Sequence, residues 1–94
     1  MGEPVKRKKR RTTLKFNAIY AKEVYLVGDF NDWNTSSHPM KYMGNGSWQK
    51  QVVLATGRYE YKFLVDGTWM TDPDNDQTCE NAYGSYNSVL SIIV

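Results

Sequence analysis

The segment from Tyr59 to Met70 constrains the chain most. Tyr59, Tyr61, Phe63 and Val65 alternate with Glu60, Lys62 and Leu64, the period of two that marks a strand with one buried face. Asp66-Gly67 follows, a dipeptide preferred in two-residue hairpin turns because both central residues need positive φ. With those two residues at the turn, Val65 opposes Thr68, Leu64 opposes Trp69, Phe63 opposes Met70 and Lys62 opposes Thr71. Directly opposed residues share a face. Tyr61, Phe63, Val65 and Met70 therefore form an apolar inner side, and Trp69 lies on the outer side with Glu60, Lys62 and Leu64.

Alternation recurs over Thr13 to Tyr20, Val24 to Phe30, Trp48 to Leu54 and Ser88 to Val94, and no window shows the three-to-four spacing of an amphipathic helix. Short strands separated by Gly, Asn, Asp and Pro clusters predict an all-β sandwich. At 94 residues this is one small domain, which buries only ~60% of its extended-chain surface and depends on a compact core. The alternation assigns that core to Leu14, Phe16, Val24, Leu26, Trp48, Val52, Leu54, Tyr61, Phe63 and Val89. Trp48, which begins a strand after the Gly44-Asn45-Gly46 turn, is taken as structural.

Charge divides the chain in two. Lys6, Arg7, Lys8, Lys9, Arg10 and Arg11 supply six of the twelve basic residues, so residues 12–94 hold six basic against nine acidic side chains, about −3 against +2 for the whole. So dense a run of like charge repels and solvates, and residues 1–11 are expected to be a disordered tail, with the domain proper over 12–94. Such a tail suits a linker or solubilising role, or an arm for a polyanion.

An exposed tryptophan beside a lysine suits few tasks that need both. A flat aromatic face packs on the apolar C–H side of a pyranose ring while amines and amides bond the hydroxyls at its rim. Trp69 alone fits equally well as a cover for the sheet edge. Trp33 shifts the balance, because it too follows a strand and a polar Asn31-Asp32 turn. Single-stranded nucleic-acid binders also expose aromatics, but surround them with Lys and Arg. Here the neighbours are Asp29, Asp32, Glu60, Asp66 and Asp72, with only Lys62 positive, so a neutral polyhydroxyl ligand is expected and nucleic acid is not.

The run GDFNDW at 28–33, GRYEYKFLVDGTW at 57–69, Asp72-Pro73 and GSYNSV at 84–89 together resemble carbohydrate-binding module family 48. This is the glycogen-binding domain of the AMP-activated protein kinase β subunit and the early-set domain at the front of branching and debranching enzymes. The resemblance covers roughly Thr13 to the C-terminus and implies an immunoglobulin-like (early-set) β-sandwich. It implies glucan contacts from Trp33, Lys62 and Trp69, and from a late loop holding Asn87 and the hydroxyl of Ser85. In the family that loop carries a leucine able to thread a cyclic glucan; the corresponding Tyr83 can stack on a sugar but not thread it.

Catalytic and metal chemistry find little support. Asp72, Asp74 and Asp76 mimic the start of a calcium loop, but Gln77 stands where glycine is needed and Tyr83 where the bidentate acid should be. Asp29 and Asp32 lie on a turn with no apolar pocket to separate their roles as acid and base. His38, the one histidine, reads as a surface loop residue with no nucleophile constellation. Cys79 is alone, so no internal disulfide is available, and no apolar run is long enough for a signal peptide or membrane span.

The expectation is a non-enzymatic, cytoplasmic module without cofactor that binds α-1,4-glucans such as glycogen, starch or maltooligosaccharides. Trp33 and Trp69 would be the platforms, with Lys62, Tyr83, Ser85 and Asn87 around them, and a glucan-active enzyme or kinase the associated partner. The alternative is a protein-docking sandwich that keeps the fold without the sugar.

Overall fold

A computed structural model describes residues 8–94. Eight strands run β1 (Lys9–Asn17), β2 (Val24–Gly28), β3 (Lys41–Gly44), β4 (Ser47–Ala55), β5 (Gly57–Val65), β6 (Thr68–Met70), β7 (Thr78–Glu80) and β8 (Tyr86–Ile92), with one 3₁₀ turn at Asp29–Asn31 after β2. They form two antiparallel sheets, β1-β4-β3 and β2-β5-β8-β7, with β6 also paired to β5. The fold is an immunoglobulin-like β-sandwich.

The period of two decides which side chains meet between the sheets. Leu14 and Phe16 of β1 and Trp48, Val52 and Leu54 of β4 face Val24 and Leu26 of β2 and Tyr61, Phe63 and Val65 of β5 in one buried cluster, joined by Ala18, Met40 and Ile92. Phe16 and Phe63 meet across the layers with ring centroids 4.9 Å apart. Trp48 is core, with its Nε1–H donating to Ala18 O at 3.0 Å and its ring 5.1 Å from that of Tyr42.

Val89 is the exception among the ten expected core residues. It pairs with Glu60, so pleating turns it to the outer face, half-buried, while Ser88 and Ile92 are the buried residues on the inner face of β8 and Asn87 is buried on the outer one. The inward-facing positions of β8 are thus one residue out of phase with the expected placement of Val89, which exchanges inner and outer side chains.

The hairpin register agrees with the alternation: Val65 opposes Thr68, Leu64 opposes Trp69 and Phe63 opposes Met70. Asp66 and Gly67 both take positive φ, 47° and 83°. The ladder stops at Met70, before the expected Lys62–Thr71 pair. Asp66 does more than turn the chain, since its carboxylate accepts the N–H groups of Lys22 and Glu23, each at 2.9 Å, and so ties the β1–β2 loop to the hairpin.

The basic run is also structured further than expected. Lys9, Arg10 and Arg11 pair with Ala55, Leu54 and Val53, which extends β1 into the predicted tail. A nine-residue β4 offers hydrogen-bonding partners along its full length, and alternate cations can point to solvent while the backbone ladder continues. Residues 1–7 of that tail lie outside the described residues. At its other end β1 stops at Asn17 rather than Tyr20, and Ile19 and Tyr20 are exposed on the turn.

Candidate functional site: a cleft on the outer face of the five-stranded sheet

One edge of β5 is shared by two strands. Gly57 to Tyr61 pair with β8, and Phe63 to Val65 pair with β6. Lys62 is the residue between the two ladders. Its outward side chain therefore stands where β8, carrying Asn87, and β6, carrying Trp69, diverge. A single break in pairing brings an amine, an amide and an indole together on the solvent side of the sheet.

The 3₁₀ turn adds Trp33 from the other edge of β5, through the β2–β5 pair that ends at Gly28 opposite Tyr61. Glycine is required at position 28, because a Cβ there would lie 2.5 Å from Glu60 O and 2.8 Å from Tyr61 Cβ. The turn is then fixed by side chains. Asn31 accepts the Gly28 N–H through Oδ1 at 3.1 Å and donates through Nδ2 to Leu26 O at 3.1 Å. Asp32 and Trp33 both adopt left-handed backbone, φ 53° and 59°, and the Trp33 N–H donates to Gly28 O at 2.9 Å. Asp29 bonds the indole Nε1–H with one oxygen (2.9 Å) and the Glu60 N–H with the other (2.7 Å).

The third wall is the loop between β7 and β8, built around Asn81. Its Oδ1 accepts the N–H groups of Tyr83 (2.9 Å) and Ser85 (3.2 Å). Its Nδ2 donates to Ser85 Oγ at 2.8 Å and Asn87 Oδ1 at 3.1 Å. Gly84, φ 77°, completes the turn. From there a chain of bonds crosses the site: Lys62 Nζ donates to Ser85 Oγ (3.0 Å), and Asn87 Nδ2 to Glu60 Oε1 (3.1 Å). Glu60 Oε2 in turn pairs with Arg58 Nη1 at 2.9 Å.

All six residues singled out in the sequence line one cleft of about 770 Å³: Trp33, Lys62, Trp69, Tyr83, Ser85 and Asn87. Their exposures differ in a useful way. Trp69 is 45% exposed and Tyr83 94%, whereas Asn87 is 8% exposed and held in place by its neighbours. Trp33 is half-buried, not held out in water as expected, because its polar edge is turned onto Asp29.

Asp29, Glu60 and Asn81 also line the cleft, and the sequence reading gave none of them a binding part. Asp29 stood out only as an acid near a turn. Asn81, four residues before Ser85 in a loop with Gly84, carried the signal of a side chain that mimics a backbone turn.

Below the cleft, the Asp72-Pro73-Asp74-Asn75-Asp76 segment is a turn anchored in the core. Tyr61 donates its phenol to Asp72 Oδ2 at 2.7 Å, Asn75 Nδ2 donates to Tyr61 Oη at 3.1 Å and to Val89 O at 2.8 Å, and the Asp72 N–H donates to Ser88 Oγ at 2.8 Å. Burial pushes the Tyr61 phenol well above its usual range, and Asp72 adds to the effect. His38 is half-buried rather than a free loop residue. Its Nδ1 lies 3.0 Å from Asn31 Nδ2 and its ring packs edge-on against Phe30, and burial, then the charge of Lys50, lowers its pKa. It braces the turn that carries Trp33.

A family model described as the glycogen recognition site of AMP-activated protein kinase matches residues 10–93. The chain belongs to this family, a carbohydrate-binding one. Among its relatives, FLOURY ENDOSPERM 6 of Oryza sativa, a chloroplastic protein, is 39% identical over 77% of this chain and 13% of its own length. The β-1 subunit of 5'-AMP-activated protein kinase from Sus scrofa is 37% identical over 76% of this chain and 55% of its own. The 1,4-α-glucan branching enzyme GlgB of a Bradyrhizobium strain is 45% identical over 50% of this chain and 7% of its own. The chain thus spans only part of these proteins.

Among solved structures, that of the enterobactin esterase FES from Shigella flexneri superposes with a TM-score of 0.75 over 96% of this chain and 31% of the esterase, at 16% identity. That likeness shows the fold alone. Among the described residues, no helix is long and apolar enough to cross a membrane.

Proposed function

We propose that this module binds α-1,4-linked glucose chains such as glycogen, starch or maltooligosaccharides, without catalysing a reaction on them. Trp69 and Trp33 stack on neighbouring glucose rings, Lys62 and Asn87 bond their hydroxyls, and Tyr83 and Ser85 form the loop side. The observation that carries this reading is the placement of Lys62 at the branch between the two ladders, which gathers two indoles and a set of amine, amide and hydroxyl groups around one open cleft.

The polarity of the cleft favours a neutral ligand. Asp29, Glu60 and Glu80 line it against Lys62 alone, a balance that repels phosphates and suits hydroxyls. None of the nine acids of residues 12–94 falls in the strands of the β1-β4-β3 sheet, and three of them line the cleft. A cytoplasmic setting and an associated glucan-active enzyme or kinase belong to the same proposal, although the rice relative is named as chloroplastic.

Each stacked ring removes ~60 Å² of apolar surface, ~1.5 kcal/mol at ~25 cal/mol/Å². Two platforms with a few hydrogen bonds made in competition with water give a Kd on the order of 0.1 mM, ~−5.5 kcal/mol. Binding is then weak for one short chain and tighter on a polymer through avidity.

The test is a titration with maltoheptaose followed by tryptophan fluorescence, with cellohexaose as control. Saturation by the α-linked sugar alone supports the proposal. No response up to about 10 mM, near −2.7 kcal/mol, removes it and leaves a protein-docking sandwich, with Trp33 and Trp69 as interface anchors.

A further inference from the structure

We infer that Asp29 is the positioning residue of the Trp33 platform, a role that rests on the glucan reading above. Its two carboxylate oxygens are divided between two partners, the indole Nε1–H of Trp33 at 2.9 Å and the backbone N–H of Glu60 at 2.7 Å. One short side chain thereby joins the ring to the central strand of the cleft. The two tryptophans are held by different means. Trp69 stands in the β5–β6 ladder opposite Leu64, and its place follows from the hairpin. Trp33 lies outside any strand, on a φ of 59° that a bulky side chain seldom adopts. Its backbone is tied to Gly28 O, but among the described residues the only hydrogen bond made by the ring itself is the one to Asp29.

That bond also determines what Trp33 can offer a ligand. Indole has a single polar group, a donor. With the Nε1–H taken up by Asp29, Trp33 presents ring surface and no hydrogen bond, which makes it a stacking platform and leaves hydroxyl recognition to Lys62 and Asn87. Without the carboxylate, the indole N–H is a donor without its acceptor, and although the Trp33 backbone stays tied to Gly28 O, the ring loses its hydrogen bond and leaves the angle that the cleft requires.

The experiment is a double-mutant cycle with maltoheptaose, combined with NMR of the indole N–H groups in the free protein. Asp29→Ala weakens binding about fivefold in the wild-type background, equivalent to ~1 kcal/mol. In the Trp33→Ala background the same change alters affinity by less than about 1.5-fold, because a residue that acts through the ring has nothing left to act on. In the free protein the Trp33 indole N–H signal shifts and exchanges faster, while that of Trp69 stays in place. Asp29→Asn is the second variant, should alanine impair folding. It keeps the size but supplies one acceptor for two N–H donors, so the Trp33 signal moves in it as well.

Equal losses in both backgrounds would show that Asp29 contacts the ligand or supports the whole fold, and would overturn the inference. So would an unmoved Trp33 signal in both variants. If the wild type binds no maltoheptaose, the glucan reading fails, and the indole signals of the free protein still decide whether Asp29 positions the ring.

Discussion

Replacing Trp69 by alanine separates binding from folding more cleanly than any other change in this cleft. Trp69 is 45% exposed, so one flank of the indole is free to meet a sugar while the other covers the sheet opposite Leu64. Loss of a stacked ring forfeits ~60 Å² of apolar contact, ~1.5 kcal/mol, which is about a tenfold rise in Kd. The structural loss is smaller. One cross-strand pair contributes ~0.2–1 kcal/mol, and a domain of this size loses about 4–8 °C of Tm per kcal/mol. The expected result by isothermal titration with maltoheptaose is therefore at least a tenfold weaker Kd in a protein whose Tm falls by less than about 8 °C. Thermal melts of the same samples show whether the variant is folded at the titration temperature. A Kd within twofold of wild type in a folded variant would refute the assignment of Trp69 as a platform and, with it, the alignment of the branch at Lys62 with the ligand.

Further outcomes follow from three other residues of the molecule. Tyr61→Phe leaves the buried Asp72 Oδ2 without its donor and should lower stability by ~1–3 kcal/mol in urea denaturation. The same tyrosine controls the alkaline limit: its folded pKa lies above the unfolded value near 10, so its contribution is complete below about pH 10 and is lost as pH rises further, and the phenylalanine variant should lack that decline. His38 acts at the other end, since a folded pKa held below the unfolded value near 6.5 gives stability that is complete above that pH and falls as the unfolded chain takes up the proton. Gly28→Ala forces backbone apart between β2 and β5, since its Cβ would stand 2.5 Å from Glu60 O, and should cost ~1–3 kcal/mol in a thermal melt, with a weaker Kd for maltoheptaose as the Trp33 turn shifts.

The sequence carried the fold further than it carried the site, and the difference is physical. A strand pattern is local: Tyr59 to Met70 states its own faces and its own turn, and nine of the ten expected core residues are buried as the alternation requires. Val89 broke the rule because register in β8 is set by its partner β5, and one residue of displacement exchanges the faces. The tail boundary was misjudged for a similar reason. Arg10 and Arg11 look like solvated charge when read alone, and only the length of β4 makes them a strand.

In the cleft, the aromatic and amine groups were legible because their chemistry is unusual for an exposed face. The residues that hold them were not, because Asp29 and Glu60 work through bonds to partners far away in sequence and Asn81 through a loop geometry that its sequence does not state. Asp29 and Glu60 are separated by 31 positions, and the bond between them is visible only once β2 and β5 are paired. Asn81 is nearer to its partners, yet its use of both amide atoms depends on Gly84 turning the loop back on itself. Residues that touch a ligand can thus be guessed from type, whereas those that aim them emerge from the ladder. The cleft's specificity should accordingly be more sensitive to Asp29 and Asn81 than their chemistry suggests: Asn81→Ala, which frees the N–H groups of Tyr83 and Ser85, should increase amide exchange over residues 81–87 and weaken maltoheptaose binding without displacing the indole signal of Trp69. Protection in that loop equal to wild type would mean that Gly84 and the backbone bonds from Asn81 N–H to Ser85 O suffice to shape it.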